Sequence, residues 1–281
     1  MKAFEPNPMN TTIIKTRAEY DATKALNNSG LKVLISGSPA HYKAYLETPR
    51  EETKALRVGS AVHKLALEGP TAFDESFAVF PELDRRTKEG KAAHEALVLA
   101  NAGKTILTAD EGDLVRNVSE AAVRCMERHK IKLTATEYMF ATDLAGIRFK
   151  AALDGFSSED GYIYDLKTTG GEEGGPHAFL KSVRAFRYNL QAYAYRMAYE
   201  AAFGIRMLGF RFIVVEKEPP FASAIYELGP ELMTQAAFDF EAGLKTYKAC
   251  LALDDWPSYP EEIKVIDINS TKTAPTPIQF A

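Results

Sequence analysis

Cysteine is nearly missing from this chain, with Cys125 and Cys250 the only two in 281 residues. They lie far apart in helix-like segments, so they build neither a disulfide framework nor a CxxC metal site, and a four-cysteine iron–sulfur cluster is excluded by count. Both read as buried thiols. No apolar run reaches the roughly 18 residues that span a membrane. The opening MKAFEPNPMNTTIIKTRAEY has no apolar centre of the kind a secretory signal needs, and residence in the cytoplasm is the simplest expectation. Excess positive charge is missing too. The net charge of −4 argues against a nucleic-acid binder held wholly by electrostatics. An acidic surface can still hide a local basic track.

Two familiar patterns are incomplete. Gly103-Lys104-Thr105 imitates the end of a phosphate-binding loop, but Val98 stands where a glycine is required, and the segment leaves a helix and enters a strand, the reverse of the needed order. His94-Glu95 opens a zinc-protease pattern, and Val98 again replaces the second histidine. ATP hydrolysis and zinc proteolysis are therefore unsupported.

What is present is acidic and strand-borne. GIRFKAALDGF, then SSEDG, then YIYDLKTT read as two strands joined by a polar turn. Phe149, Ala151 and Leu153 alternate with Lys150, Ala152 and Asp154, and Ile163, Asp165 and Lys167 share one face because strand side chains repeat every two residues. If Ser157 to Gly161 turns the chain, Asp154 and Asp165 come within a cross-strand reach of roughly 5 Å. Two such carboxylates repel, and a divalent cation removes the penalty. Mg²⁺ suits oxygen ligands and phosphate substrates, and Lys167 adds a fixed positive charge. Taken alone, D-x-K is common on solvated strands.

Other residues join this pair. In LRVGSAVHKLAL, Gly59 and His63 are four apart on a helix, with His63 beside the apolar stripe, either a ligand or a satisfied core histidine. In FRYNLQAYAYRMAYEAAFG, Gln191 and Tyr195 leave the same helix face. Glu137 opens the strand before the hairpin, as a ligand or as a surface strand residue. Arg85, Arg86, Lys88 and Lys91, with Arg184 and Arg187, are candidates for a DNA track or for solvated helix ends.

In this order G-x-x-x-H, Glu, Asp, D-x-K and Q-x-x-x-Y resemble the PD-(D/E)xK nuclease superfamily. SGSPAHYKAYLE, RVGSAVHKLALEG, DRRTKEGKAAHEAL and YNLQAYAYRMAY resemble, more narrowly, the nuclease domain of RecE-type (exonuclease eight) phage and prophage exonucleases, over roughly residues 30 to 250. The resemblance implies that His63, Asp154 and Asp165 hold metal, with the backbone carbonyl of Leu166 completing the sphere and Glu137 a further acidic position. It implies that Lys167 is catalytic and that Gln191 and Tyr195 support the active site and DNA. Its implied activity is Mg²⁺-dependent degradation of linear double-stranded DNA from the 5′ end, leaving a 3′ single strand for annealing. One or two ions per site are implied, with Mn²⁺ able to substitute. A ring-shaped homo-oligomer, a RecT-like annealing partner and a bacterial host cytoplasm belong to the same implication. The alternatives are an endonuclease or single-strand-preferring nuclease on the same fold, or a catalytically inactive DNA-binding or phage accessory protein. The opening Met1 favours a complete gene product of phage size.

The expected architecture is α/β, with a central mixed sheet flanked by helices. A polar N-terminal arm covers 1–28, the nuclease domain 29–253, and a proline-rich tail 254–281. The tail is read as an oligomer contact, a docking segment or an inert terminus. Strands are expected near 77–80, 135–143, 147–154, 161–167, 207–216 and 221–228. Helices are expected from Ser38-Pro39, around His63, and over 88–102, 109–129, 176–184, 187–203 and 230–253, with a mobile glycine loop at 170–175.

Overall fold

The structure, a computed structural model, describes residues 10–48, 53–261 and 263. Strand β1 (Thr11–Ile14), helix α1 (Arg17–Ala22), the short strand β2 (Leu26–Asn27) and helices α2 (Asn28–Ser36) and α3 (Pro39–Glu47) come first. Helix α4 (Lys54–His63) runs into a π-helical turn, Lys64–Glu68, and then α5 (Pro70–Ser76). Next are β3 (Phe77–Val79), α6 (Lys88–Ala100), β4 (Thr105–Leu107) and α7 (Ala109–Arg128). The strands β5 (Ala135–Leu144), β6 (Ile147–Ser157) and β7 (Tyr162–Thr169) follow without interruption. Helices α8 (Pro176–Ala185) and α9 (Tyr188–Phe203), strands β8 (Gly209–Glu216) and β9 (Ser223–Glu227) and helix α10 (Pro230–Leu253) are the last of the described elements.

The main sheet is mixed, in the order β1-β5-β6-β7-β8-β9, with β2 paired to β6. β5 and β6 form a hairpin closed by Ala145 and Gly146, both at positive φ (53° and 78°). Two such residues make the turn whose twist matches the strands it joins. β7 and β8 run parallel, which requires the crossover that α8 and α9 supply. β3 and β4 form a separate parallel pair.

Helices cover both faces, as expected. Along β8, Phe210, Phe212 and Val214 feed a large core shared with α9 and α10, while Ile213 and Val215 feed a second core shared with α4 and α7. The same alternation sends Ile163 into the first core and Tyr164 and Leu166 into the second. The interior faces of α4 and α7 supply Val58, Val62, Val115, Val118 and Ala122, at helical spacing. Among the described residues no helix is long and apolar enough to cross a membrane.

Three local expectations change. Residues 10–28, read as part of a polar arm, enter the sheet. The β-branched run Thr11–Ile14 pairs antiparallel with β5, and Thr16 and Glu19 form a capping box at the start of α1. The glycine loop after β7 is tied down: Gly170 N–H donates to Glu173, Gly174 N–H to the buried Glu216, and Tyr226 Oη donates to the Gly174 carbonyl at 2.7 Å. Trp256, in the tail, stacks on Tyr42 at 5.5 Å, and the Pro257 carbonyl accepts from Ala40 N–H. The tail residues Pro275 and Pro277 lie outside the described residues, as do residues 1–9.

Candidate active site

The sheet forks where the acidic pair sits. β6 and β7 pair at Ser157–Tyr162, Phe156–Ile163 and Gly155–Tyr164, and the ladder ends there. Asp154 and Asp165 are the next residues along each strand. Beyond this point β7 continues beside β8, and β6 is met instead by β2 at Phe149 and Lys150. At the fork, Asp154 Oδ2 accepts the Leu166 N–H at 2.8 Å, so a carboxylate takes the place of a ladder bond.

A slip in the pleat accompanies the fork. Core-facing residues of β6 run Phe149, Ala151, Leu153 and then Phe156, while those of β5 run Ala135 and then Tyr138 and Phe140. Both strands lose one step of the period of two at the facing positions Glu137 and Asp154, where Glu137 adopts φ 46°. A non-glycine residue in that region costs about 1–3 kcal/mol and persists only where its surroundings enforce it.

The slip gathers three ligating side chains. One ligand atom from each of His63, Glu137 and Asp154 lies within 4.8 Å of the others, and His63 Nδ1 is 3.4 Å from Asp154 Oδ2. His63 is the last α-helical residue before the π turn, and single π turns recur at functional positions in helices. Burial first, and Asp154 second, push the Glu137 carboxyl up to about 7, with His63 acting in the opposite direction. An imidazole nitrogen and two mutually repelling carboxylates suit a divalent cation, which would remove the penalty both acids carry, and their oxygen-rich chemistry fits Mg²⁺ or Mn²⁺. Glu137 thus joins this group. Asp165 stands beside it, engaged by other partners.

Asp165 is buried, with 2% of its side chain exposed, and Lys167 Nζ lies 2.5 Å from its Oδ2. Gln191 Nε2 donates to the other oxygen. Burial raises the Asp165 pKa, opposed by Lys167 and reinforced by Asp154. Burial alone would lower Lys167, but Asp165 and Asp154 outweigh it and raise the pKa, so the ammonium stays charged. Tyr195, one turn beyond Gln191 on α9, is buried, and its pKa lies well above the ordinary phenol value, chiefly through burial. The helix face read from the spacing of Gln191 and Tyr195 is the one turned toward the fork.

The candidate basic residues lie on two segments, the start of α6 and the junction of α8 and α9. Arg85 and Arg86 lie in the loop before α6, where Arg86 pairs with Asp84, and Lys88 and Lys91 begin that helix. Arg184 is exposed on the last turn of α8. Arg187 is engaged inside the fold: its guanidinium holds the buried Asp239 at 2.7 Å and donates to Ser36. Sequence reasoning missed the Lys64–Glu68 pair of the π turn, whose charges act on Glu137, and Lys32 of α2, whose pKa is lowered by burial and then by Lys167. Neither carries a sequence signal, since lysines on helices are ordinary.

A mixed sheet that forks at two aspartates, with Asp165-Leu166-Lys167 on one arm and a helix-borne histidine over the other, defines a PD-(D/E)xK-type domain. Residues 27–269 match a family model described as "PDDEXK-like domain of unknown function (DUF3799)", and the chain belongs to that family. No curated protein matches. Among solved structures, a Eubacterium rectale protein named "Putative exonuclease" is similar at TM-score 0.60 and 15% identity, covering 94% of this chain and 100% of that one. A phage-related exonuclease from Haemophilus somnus 129PT shows TM-score 0.37 and 11% identity, over 84% of this chain and 100% of that one.

Proposed function

We propose that this protein is a divalent-metal-dependent nuclease, and in its finer form a Mg²⁺-dependent exonuclease that degrades linear double-stranded DNA 5′ to 3′ and leaves a 3′ single strand. The observation that carries the reading is the fork, where Asp154, Asp165, Lys167, His63 and Glu137 converge from three strands and a helix. His63, Glu137 and Asp154, with Asp165 and the Leu166 carbonyl beside them, would hold the cation. When bound, it supplies positive charge to the phosphate and lowers the pKa of a water.

The chain's own groups do the rest. Lys167, kept charged by Asp165, places an ammonium where negative charge builds on the phosphate oxygens. Gln191 fixes the orientation of Asp165 through the hydrogen bond described above. Tyr195, buried one turn further along α9 and packed on Phe210, helps seat that helix against the sheet. Among the described residues no serine, tyrosine or histidine is set up as an attacking group, and water is the nucleophile: its oxygen bonds to phosphorus as the phosphodiester P–O bond breaks, its proton leaves to solvent, and the departing oxygen takes up a proton from solvent to leave as the alcohol.

The exonuclease form is supported by the RecE-type motifs and agrees with the name "Putative exonuclease" carried by the Eubacterium rectale protein. A ring around linear duplex DNA and a RecT-like annealing partner belong to the same proposal. Helix α6 supports the ring: none of its residues is buried, and Val98 and Leu99 are 45% and 80% exposed. The test is digestion of 5′-labelled linear duplex beside closed circular plasmid, with Mg²⁺ or EDTA, for wild type and Asp165→Ala, after size-exclusion chromatography. Mg²⁺-dependent loss of the 5′ label from linear DNA alone, abolished by the substitution, is the expected result. Nicking of the circle would replace the exonuclease with an endonuclease, and inertness with every divalent metal would overturn the nuclease.

A further inference from the structure

Helix α2 brings a second lysine to the fork, one that the mechanism above leaves unused. Lys32 Nζ lies 5.6 Å from the centre of the Tyr188 ring, and Lys167 Nζ lies 4.7 Å from the same ring. The two nitrogens are therefore within about 10 Å of each other. Lys167 has Asp165 as its counter-charge, whereas Lys32 makes no ion pair among the described residues.

That arrangement is costly for the chain by itself. A half-buried ammonium loses hydration, and a like charge beside it adds repulsion. Both effects lower the Lys32 pKa to about 8, burial being the larger, while Asp165 pulls the other way. The contact with Tyr188, at a site still open to solvent, offsets only part of that cost. Lys32 is thus left without a counter-charge, which a negatively charged ligand would supply.

We propose that Lys32 is a substrate-binding residue which, with Lys167 and the ring of Tyr188, forms a subsite for a second phosphate of the DNA strand beside the scissile one. This rests on the nuclease reading of the fork and adds to it the position of a neighbouring phosphate. Phosphates recur every 3.4 Å of helix axis along each strand, so two cations within about 10 Å reach neighbouring groups of one strand. Lys167 serves the reacting phosphate, and Lys32 fixes the register of the strand.

The test uses the full chain with three substitutions, Lys32→Ala, Lys32→Met and Lys32→Arg. Lys32→Met keeps the aliphatic stem against Tyr188, so a folding failure of Lys32→Ala leaves the experiment intact. Fluorescence anisotropy of a labelled linear duplex, without divalent metal and over a series of NaCl concentrations, gives the salt dependence of binding. Removing one phosphate contact flattens the slope of log K against log salt by about 0.9, which is about eightfold weaker binding at 0.1 M salt. The expected result is that flattening for Lys32→Met, its recovery in Lys32→Arg, and a raised KM for DNA in the Mg²⁺ reaction. An unchanged slope and KM in Lys32→Met would overturn the subsite. Asp165→Ala, run alongside, separates the two ideas: its loss of cleavage with an intact Lys32→Met slope leaves the nuclease standing without the subsite, and its retention of cleavage overturns both.

Discussion

Replacing Glu137 by glutamine should stabilise the metal-free protein and remove most of the stabilisation that a divalent cation gives. Glu137 is held at φ 46° with its carboxyl raised from 4.5 to about 7, mainly by burial and then by Asp154. A raised acid weakens the fold as it ionises. The penalty is absent below 4.5, where the carboxyl is protonated in both states, grows as pH rises, and is complete above about 7. At about 1.36 kcal/mol per tenfold change in proton affinity, the upper bound is about 3.4 kcal/mol, and partial solvent access reduces it to about 1–2 kcal/mol. In a chain of this size that is about 2–6 °C in melting temperature. Thermal unfolding in EDTA should therefore show Glu137→Gln above wild type at pH 8 and level with it at pH 4. Added Mg²⁺ should raise wild type much more than the variant, because binding to the folded state alone stabilises by mass action. Equal Mg²⁺ shifts in both proteins, or no gain for the variant at pH 8, would refute the assignment of Glu137 to the cation site.

Arg187→Ala should destabilise the fold by about 3–5 kcal/mol in urea unfolding, because it strands the buried Asp239; unchanged stability with weakened DNA binding would restore Arg187 to the DNA track. Gly59→Ala should stabilise helix α4 by about 0.5–1 kcal/mol, since an added Cβ at Gly59 meets nothing within 4 Å. A lowered melting temperature would show that the glycine is needed for packing. If cleavage nevertheless falls in a stabilised Gly59→Ala, the open space over α4 is the path of the substrate, as its position one turn before His63 suggests.

Much of the fold was legible because its signals are local. The strand runs around Asp154 and Asp165, the polar turn ending at Gly161, the Ser38-Pro39 helix start and the long helix from Pro230 all follow from periodicity and capping chemistry. The arm was misjudged because Thr11 to Ile14 is a short run whose partner, β5, lies more than a hundred residues away in sequence, and nothing local specifies an edge pairing. The glycine loop was read as mobile from composition, but its hydrogen bonds go to Glu216 and Tyr226, which only the fold brings near. Strict alternation on β6 puts Asp154 on the face opposite Leu153, and it contains no sign of the slip at Glu137 that gathers the three ligating atoms. For the same reason Glu137 stood open between ligand and surface residue. Arg187 looks like any helix-end arginine until Asp239, on α10, is placed beneath it.

The fork also has two sponsors. His63 is carried by a helix rooted in the core of Val58, Val62 and Val118, while Gln191 and Tyr195 are carried by a helix rooted in the core of Phe140, Phe149 and Phe212. The two cores lie on opposite sides of the sheet, and each can be loosened without emptying the other. A truncation such as Val118→Ala would slacken the histidine side of the catalytic seam and leave the Asp165 clamp intact, and Phe212→Leu would do the reverse. The placing of the histidine and the alignment of the buried carboxylate are thus separately adjustable quantities, governed by residues wholly buried in the two cores.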